Sequence, residues 1–160
     1  VRNRLIWASA TLALVIAACG SASPNSSASS TSSCVNASAA HHAYVVVEHF
    51  SGTSLQRCVG FAGDTIDGQS LMDQSTIRYQ TQTFSFGKGV CAIDKEPAQY
   101  SECFPKDKPY WSLFIETGGA WAAAQTGYTA INLHDKDALG WRYVESSDPN
   151  PAPPPPAKET

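Results

Sequence analysis

Tyr44-Val-Val-Val-Glu-His-Phe50, followed by Ser51-Gly52-Thr53 and then Leu55-Gln-Arg-Cys-Val-Gly-Phe61, is the stretch on which the fold turns. Its first part consists largely of β-branched and aromatic residues that suit a pleated surface. The middle three are turn formers, and the last part returns to β-formers, so the stretch predicts a hairpin. Side chains alternate along a strand. Leu55, Arg57, Val59 and Phe61 therefore share one face, with Gln56, Cys58 and Gly60 on the other, and the second strand is expected to be only half buried.

Downstream, Gly63-Asp64-Thr65-Ile66-Asp67 offers turn and cap chemistry before Gly68-Gln-Ser-Leu-Met-Asp-Gln-Ser75, which predicts a short helix. Ile77 to Phe84 alternates as a strand, and Gly87-Lys88-Gly89 turns the chain into Val90-Cys-Ala-Ile93. The polar segment Asp94 to Lys108 reads as a long loop. Trp111 to Glu116, the Gly118-Gly119 turn, Trp121 to Gln125 and Leu139 to Glu145 make a strand-rich second half. Short strands with one helix predict a small α+β domain.

The two ends have different chemistry. Arg2 and Arg4 precede an apolar run from Leu5 to Ala18, and Ile16-Ala17-Ala18-Cys19 reads as a bacterial lipobox. Val1 fits a non-ATG start codon. As a helix the run would be about 21 Å long at ~1.5 Å per residue, short of a hydrocarbon core of about 30 Å. It is expected to be a signal peptide cleaved before Cys19, whose acyl chains would hold the protein on the outer face of the cytoplasmic membrane. The Ser- and Ala-rich segment that follows is a flexible tether by composition. Asp148-Pro-Asn-Pro-Ala-Pro-Pro-Pro-Pro favours polyproline II and reads as an extended exit tail outside the core. The expected organisation is a signal peptide at 1–18, a tether at 19–40, an α+β binding domain at 41–147 and a proline-rich tail at 148–160.

Loss of residues 1–18 removes two arginines and no acid, taking the formal charge from -3 to -5, with nine basic residues against fourteen acidic ones. With no basic run, nucleic-acid binding is set aside. Cys34, Cys58, Cys91 and Cys103 remain as an even set in an oxidising compartment, so two disulfides are expected. Four cysteines allow three connectivities. The short Cys91 to Cys103 separation favours a local closure, leaving Cys34 with Cys58. No C-x-x-C pair points to zinc.

Enzyme signatures are scarce. Gly68-Gln69-Ser70-Leu71-Met72 lacks the closing glycine of a nucleophile elbow. His41 and His42 adjoin the tether and read as a solvated pair. His49 and His134 show no partner at triad or ligand spacing, and Asp64, Asp67, Asp135 and Asp137 read as turn residues. The aromatics are more suggestive. Tyr110, Trp111, Trp121 and Trp141 fall late in the chain, and such side chains either fill a core or form a face for a flat ligand. They are the candidate ligand-binding residues, with Asp94 to Lys108 as a rim.

Gly89-Val90-Cys91-Ala92-Ile93-Asp94, Pro97, Cys103, Tyr110-Trp111-Ser112, Gly118-Gly119, Trp121, Gly127 and Gly140-Trp141-Arg142-Tyr143 together resemble a family of small secreted bacterial domains. That family is related to the C-terminal β-domain of the cobalamin carriers intrinsic factor and transcobalamin. The resemblance spans most of Tyr44 to Glu145. It implies a β-grasp-like fold of antiparallel strands and one helix. In the vertebrate carriers this domain closes one face of the corrinoid. Lys95-Glu96 stands here where that family has a glycine-containing turn, and the helical barrel of the carriers is absent from this sequence. The function expected is a membrane-anchored, non-enzymatic binding module with no covalent cofactor. It would take cobalamin or another flat ligand and deliver it to a membrane transporter. The alternative is an envelope interaction or structural lipoprotein with no small-molecule ligand.

Overall fold

The computed structural model describes residues 34–85 and 87–159. Cys19, the expected lipobox and most of the expected tether lie outside the described residues. Among those described, no helix is long and apolar enough to cross a membrane.

The quoted stretch forms the hairpin. β1 (His41–Glu48) and β2 (Ser54–Phe61) pair antiparallel from His41 opposite Phe61 to Glu48 opposite Ser54. At its turn, Gly52 takes a φ of 80° and donates its N–H to the His49 carbonyl at 2.9 Å. β1 continues into a five-stranded sheet ordered β2-β1-β9-β6-β7, which also contains β6 (Tyr110–Thr117), β7 (Ala120–Ala123) and β9 (Ala138–Val144). β1 and β9 run parallel in its centre, with Val45 opposite Leu139 and Val47 opposite Trp141. The remaining pairs are antiparallel. The fold is a small α+β domain with mostly antiparallel strands, one short helix and two disulfides.

One face of the sheet carries Ala43, Val45, Val47, Val59, Trp111, Leu139 and Trp141 into the main core. The helix α1 (Gly68–Gln74) covers it with fully buried Leu71 and Met72. Asp67 caps the helix, accepting the Ser70 N–H at 2.9 Å and the Ser70 hydroxyl at 2.7 Å. Ser70 is thereby a capping partner inside the first turn. Around the helix lie two small ladders: β3 (Ile66–Asp67) with β8 (Asn132–Leu133), and β4 (Tyr79–Phe84) with β5 (Gly87–Ile93). The Ser70 N–H, then the Ser70 hydroxyl, hold the Asp67 carboxyl below its ordinary value of 3.8. Its contribution to stability is therefore complete above that value and is lost as pH falls through the lower folded-state pKa. Asp67→Ala is expected to lower stability by about 1 kcal/mol at neutral pH and by less at pH 2, checked by urea melts at both.

The second face corrects two expectations. Gln56, Cys58 and Gly60 are buried, so β2 is covered on both sides. Residues 34–39 lie over them, joined by the Cys34–Cys58 disulfide, by Val35 N–H to the Cys58 carbonyl at 2.9 Å and by Gly60 N–H to the Val35 carbonyl at 2.7 Å. The proline-rich tail does not leave the domain. Pro154 is buried, and Ala157 packs on the second cluster formed by Tyr44, Cys58 and Ala138. Cover on both faces is the reason the Val45-Val46-Val47 run shows no alternation of apolar and polar residues.

Candidate ligand cleft

β5 pairs with β4 on one side only, and β6 pairs with β7 only from Phe114 to Thr117. Between the free lengths of β5 and β6 lies an open cleft of about 520 Å³ whose lining includes Val90, Phe104, Tyr110, Trp111, Leu113 and Trp141. This volume falls in the range of small-molecule sites, which are mostly apolar with a few polar groups.

The rim is aromatic. Phe104, 42% exposed, stands edge-on to Tyr110 with ring centroids 6.5 Å apart and tilts against Phe84 at 5.3 Å. Both phenylalanines approach the bare Cα of Gly89, where an added Cβ would fall 2.6 Å from the Phe104 ring and 2.9 Å from the Phe84 ring. Phe104 is held near the cleft because its neighbour Cys103 is bonded to Cys91 in β5. The expected Cys91–Cys103 and Cys34–Cys58 pairings are the ones formed.

One end of the cleft is polar. Lys88 Nζ donates to Gln69 Oε1 at 3.0 Å, and the Tyr128 hydroxyl donates to the same oxygen at 3.1 Å. Gln69 Nε2 reaches the Tyr79 hydroxyl at 2.8 Å, which donates to Asp73 at 2.5 Å. Burial above all raises the pKa of both Tyr79 and Tyr128, reinforced at Tyr79 by its bond to Asp73. Both phenols therefore stay protonated donors throughout the neutral range.

The four candidate aromatics do not form one platform. Trp111 and Trp141, 2% and 3% exposed, belong to the core face and reach the cleft only as part of its floor. Tyr110, one residue from Trp111 along the strand, belongs to the opposite parity and is half-buried at the cleft rim. Trp121 lies with Tyr44, Cys58 and Ala138 on the second face, away from the cleft. The loop does supply the rim, but through Phe104.

Sequence reading missed the partners of the histidines. His49 Nδ1 is 2.6 Å from Glu96 Oε2, and its ring stands edge-on to Trp111 at 5.6 Å. Glu96 also receives the Phe50 N–H at 3.4 Å, while its carbonyl accepts the Trp111 indole N–H at 2.8 Å. This node ties the β1–β2 turn and the start of the loop to the floor of the cleft. The glycine-free turn before it is strained, with Asp94 at φ 45° and Lys95 at φ 69°. Asp94 N–H to the Arg78 carbonyl at 2.8 Å and reciprocal bonds between Ile93 and Glu96 hold it. His41 and His42 are half-buried members of β1, not a solvated pair. Asp135 accepts the His42 N–H and Asp137 the His134 N–H, both at 2.8 Å, so these aspartates serve the backbone. Among the described residues, no group of three or more His, Cys, Asp or Glu side chains is placed to hold a metal ion.

No family model and no curated protein matches the chain. It is similar to a crystal structure described as that of "a putative metal binding protein from Ruminococcus gnavus ATCC 29149". The similarity has 16% identity and a TM-score of 0.48, and it covers 66% of this chain and 97% of that one.

Proposed function

We propose that this protein is a lipid-anchored extracytoplasmic binding module without enzymatic activity, whose cleft between β5 and β6 seats a flat, largely apolar ligand of the corrinoid class for delivery to a transporter. The observation that carries this reading is the cleft itself, with Phe104 and Tyr110 on its rim, Trp111 and Trp141 in its floor and Lys88 at its polar end. A corrinoid exceeds about 520 Å³, so it would seat one edge or face in the cleft and remain open on the other side. A β-grasp-like topology is part of the reading. The first and last strands run parallel in the centre of the sheet, and a single helix covers one face. Two disulfides favour an oxidising compartment. Residues 34–39, at the end of the expected tether, lie against edge strand β2 with Cys34 bonded to it, whereas the cleft adjoins β6 and β7 at the other side of the sheet. A tether at Cys34 would leave the cleft facing away from its attachment.

Tryptophan quenching and calorimetry with cobalamin and cobinamide test the reading. Phe104 and Tyr110 are the informative positions, because neither is fully buried. Each stacked aromatic contributes about 0.5–1.5 kcal/mol beyond its area, so combining Phe104→Ala with Tyr110→Ala should weaken binding roughly thirtyfold. No binding to folded wild type below millimolar ligand would reject the corrinoid. Unchanged binding by the double variant would place the ligand elsewhere. The alternative, an interaction protein, draws support from the second face of the sheet, where the tail is seated.

A further inference from the structure

The cleft between β5 and β6 carries a charge that its surroundings do not neutralise. Among the described residues that line it, Lys88 alone is charged. Its Nζ donates to the neutral Gln69 amide at 3.0 Å. The chain holds fourteen acidic residues, yet none of those described forms an ion pair with Lys88. An ammonium has three N–H donors and no acceptor, so two donors of Lys88 have no protein partner among the described residues. The residue is exposed on β5, where a molecule entering the cleft can reach it.

Gln69 fixes where that charge stands. Its Oε1 accepts from Lys88 and, at 3.1 Å, from the Tyr128 hydroxyl, while its Nε2 donates to both Asp73 carboxylate oxygens at 3.0 Å and to the Tyr79 hydroxyl at 2.8 Å. An ammonium that can only donate on one side and a carboxylate that can only accept on the other leave the amide a single orientation. Gln69 therefore holds the Lys88 ammonium in place without cancelling its charge. Asp73, the acid of this network, is engaged by Gln69 and by the Tyr79 hydroxyl at 2.5 Å, and it does not line the cleft. The walls beyond Lys88 are apolar, with Val90, Leu113 and Trp141 under the ring edges of Phe104 and Tyr110. One placed cation thus stands at the end of an apolar, aromatic-rimmed cleft.

We propose that the ligand of this cleft is an anion, a flat apolar body seated between the aromatic rim and the floor with its carboxylate or phosphate on Lys88. The proposal rests on the reading of this cleft as the ligand site and narrows the class of ligand it takes. A cationic ligand would meet Lys88 with no acid in the described lining to offset the repulsion, and a neutral one would cover the ammonium without pairing its charge. The oxygens of a carboxylate or phosphate accept both open donors as charge-assisted hydrogen bonds. Because Lys88 is exposed, the pair is expected to strengthen binding about fivefold, the upper end for charges near a surface.

Naphthoate and its uncharged amide, which share one ring system and differ in charge, test the proposal by calorimetry on the oxidised protein. Naphthoate should bind about fivefold more tightly than naphthamide. The difference should vanish at about 1 M salt, where the screening length falls to about 3 Å. Lys88→Met should bind the two probes equally, and Lys88→Arg should keep the preference. Lys136→Gln, which removes a cation paired with Glu159 outside the cleft, should change neither affinity. No binding of either probe at millimolar concentration, a wild-type preference below about twofold, its persistence in Lys88→Met or its loss in Lys136→Gln would each overturn the proposal. Tighter binding of decanoate than of naphthoate would overturn the flat body named here. Cobinamide and cobinamide phosphate separate the proposal from the corrinoid reading. Equal binding of these two would overturn the proposal and leave the cleft a corrinoid site. A naphthoate preference that depends on Lys88, with neither corrinoid bound, would uphold the proposal and reject the corrinoid.

Discussion

Trp111→Ala should lower the stability of the domain by about 3–5 kcal/mol, the cost of emptying a large aromatic site in a packed core. The side chain is 2% exposed, its ring lies 5.0 Å from that of Tyr143 and 5.6 Å from that of His49, and its indole N–H is bonded to the Glu96 carbonyl. Small domains have about 5–15 kcal/mol in total, so a shift in melting temperature on the order of 10–20 °C follows. Trp111→Phe keeps most of the apolar volume and loses the donor, and should cost roughly half as much or less. Trp141→Ala should behave like Trp111→Ala, since Trp141 is 3% exposed and packs between Tyr128 and Met72. Far-ultraviolet dichroism in a urea titration checks all three, since it does not depend on the tryptophan being removed. A change under 1 kcal/mol for Trp111→Ala would mean that the ring is not a core element. The same prediction governs how binding data are read: lost ligand affinity in Trp111→Ala reports a damaged floor, whereas loss in Phe104→Ala reports a contact.

The strands and the helix were legible because their signals are local. The β-formers around Ser51-Gly52-Thr53 name the hairpin, and Asp67 before an apolar helix face names the cap. Strand order was not legible. The parallel pairing of β1 with β9 joins Tyr44 to Ala138, and no periodicity inside either strand records its neighbour. The second face misled for a physical reason. Gln56, Glu116 and Arg142 look like solvent-facing residues, and a run of prolines without donors looks unable to join a fold. Each supplies what the other lacks, since the side chains bring donors and acceptors to the backbone of residues 152–158 and the prolines bring carbonyls and rings.

The site was partly legible in the same sense. The late aromatics stand out in the sequence as a group, but the fold divides them, and strict alternation already forbids Tyr110 and Trp111 from sharing a face of one strand. Only the register, with Trp111 opposite Tyr143 and Glu116 opposite Trp121, sorts the tryptophans between the two faces. Phe104 sits in a loop where no periodic signal exists, and the His49–Glu96 pair spans 47 residues, beyond any motif spacing. The mark that could have pointed to Phe104 is its position beside Cys103, because a local disulfide fixes whatever flanks it.

Reduction of both disulfides should unfold the domain, and removing them one at a time should separate stability from binding. The Cys34–Cys58 bond spans 24 residues and the Cys91–Cys103 bond 12. Loop-closure entropy in the unfolded chain makes each worth about 3 kcal/mol, slightly more for the longer loop. Together they contribute about 6 kcal/mol, comparable to the whole stability of a small domain. Their structural consequences differ. Replacing Cys34 and Cys58 by serine frees residues 34–39 from β2 on the second face, far from the cleft, and should lower the melting temperature while leaving ligand affinity in the folded protein unchanged. Replacing Cys91 and Cys103 by serine releases the segment that holds Phe104 over Gly89, so affinity should fall along with stability. Thermal melts with and without reductant, with alkylation and mass spectrometry to count free thiols, measure the first effect, and cobinamide titration of the two double variants measures the second. An unchanged melting temperature with four free thiols would show that the core stands without its crosslinks. Equal affinity in both variants would remove Phe104 from the ligand site.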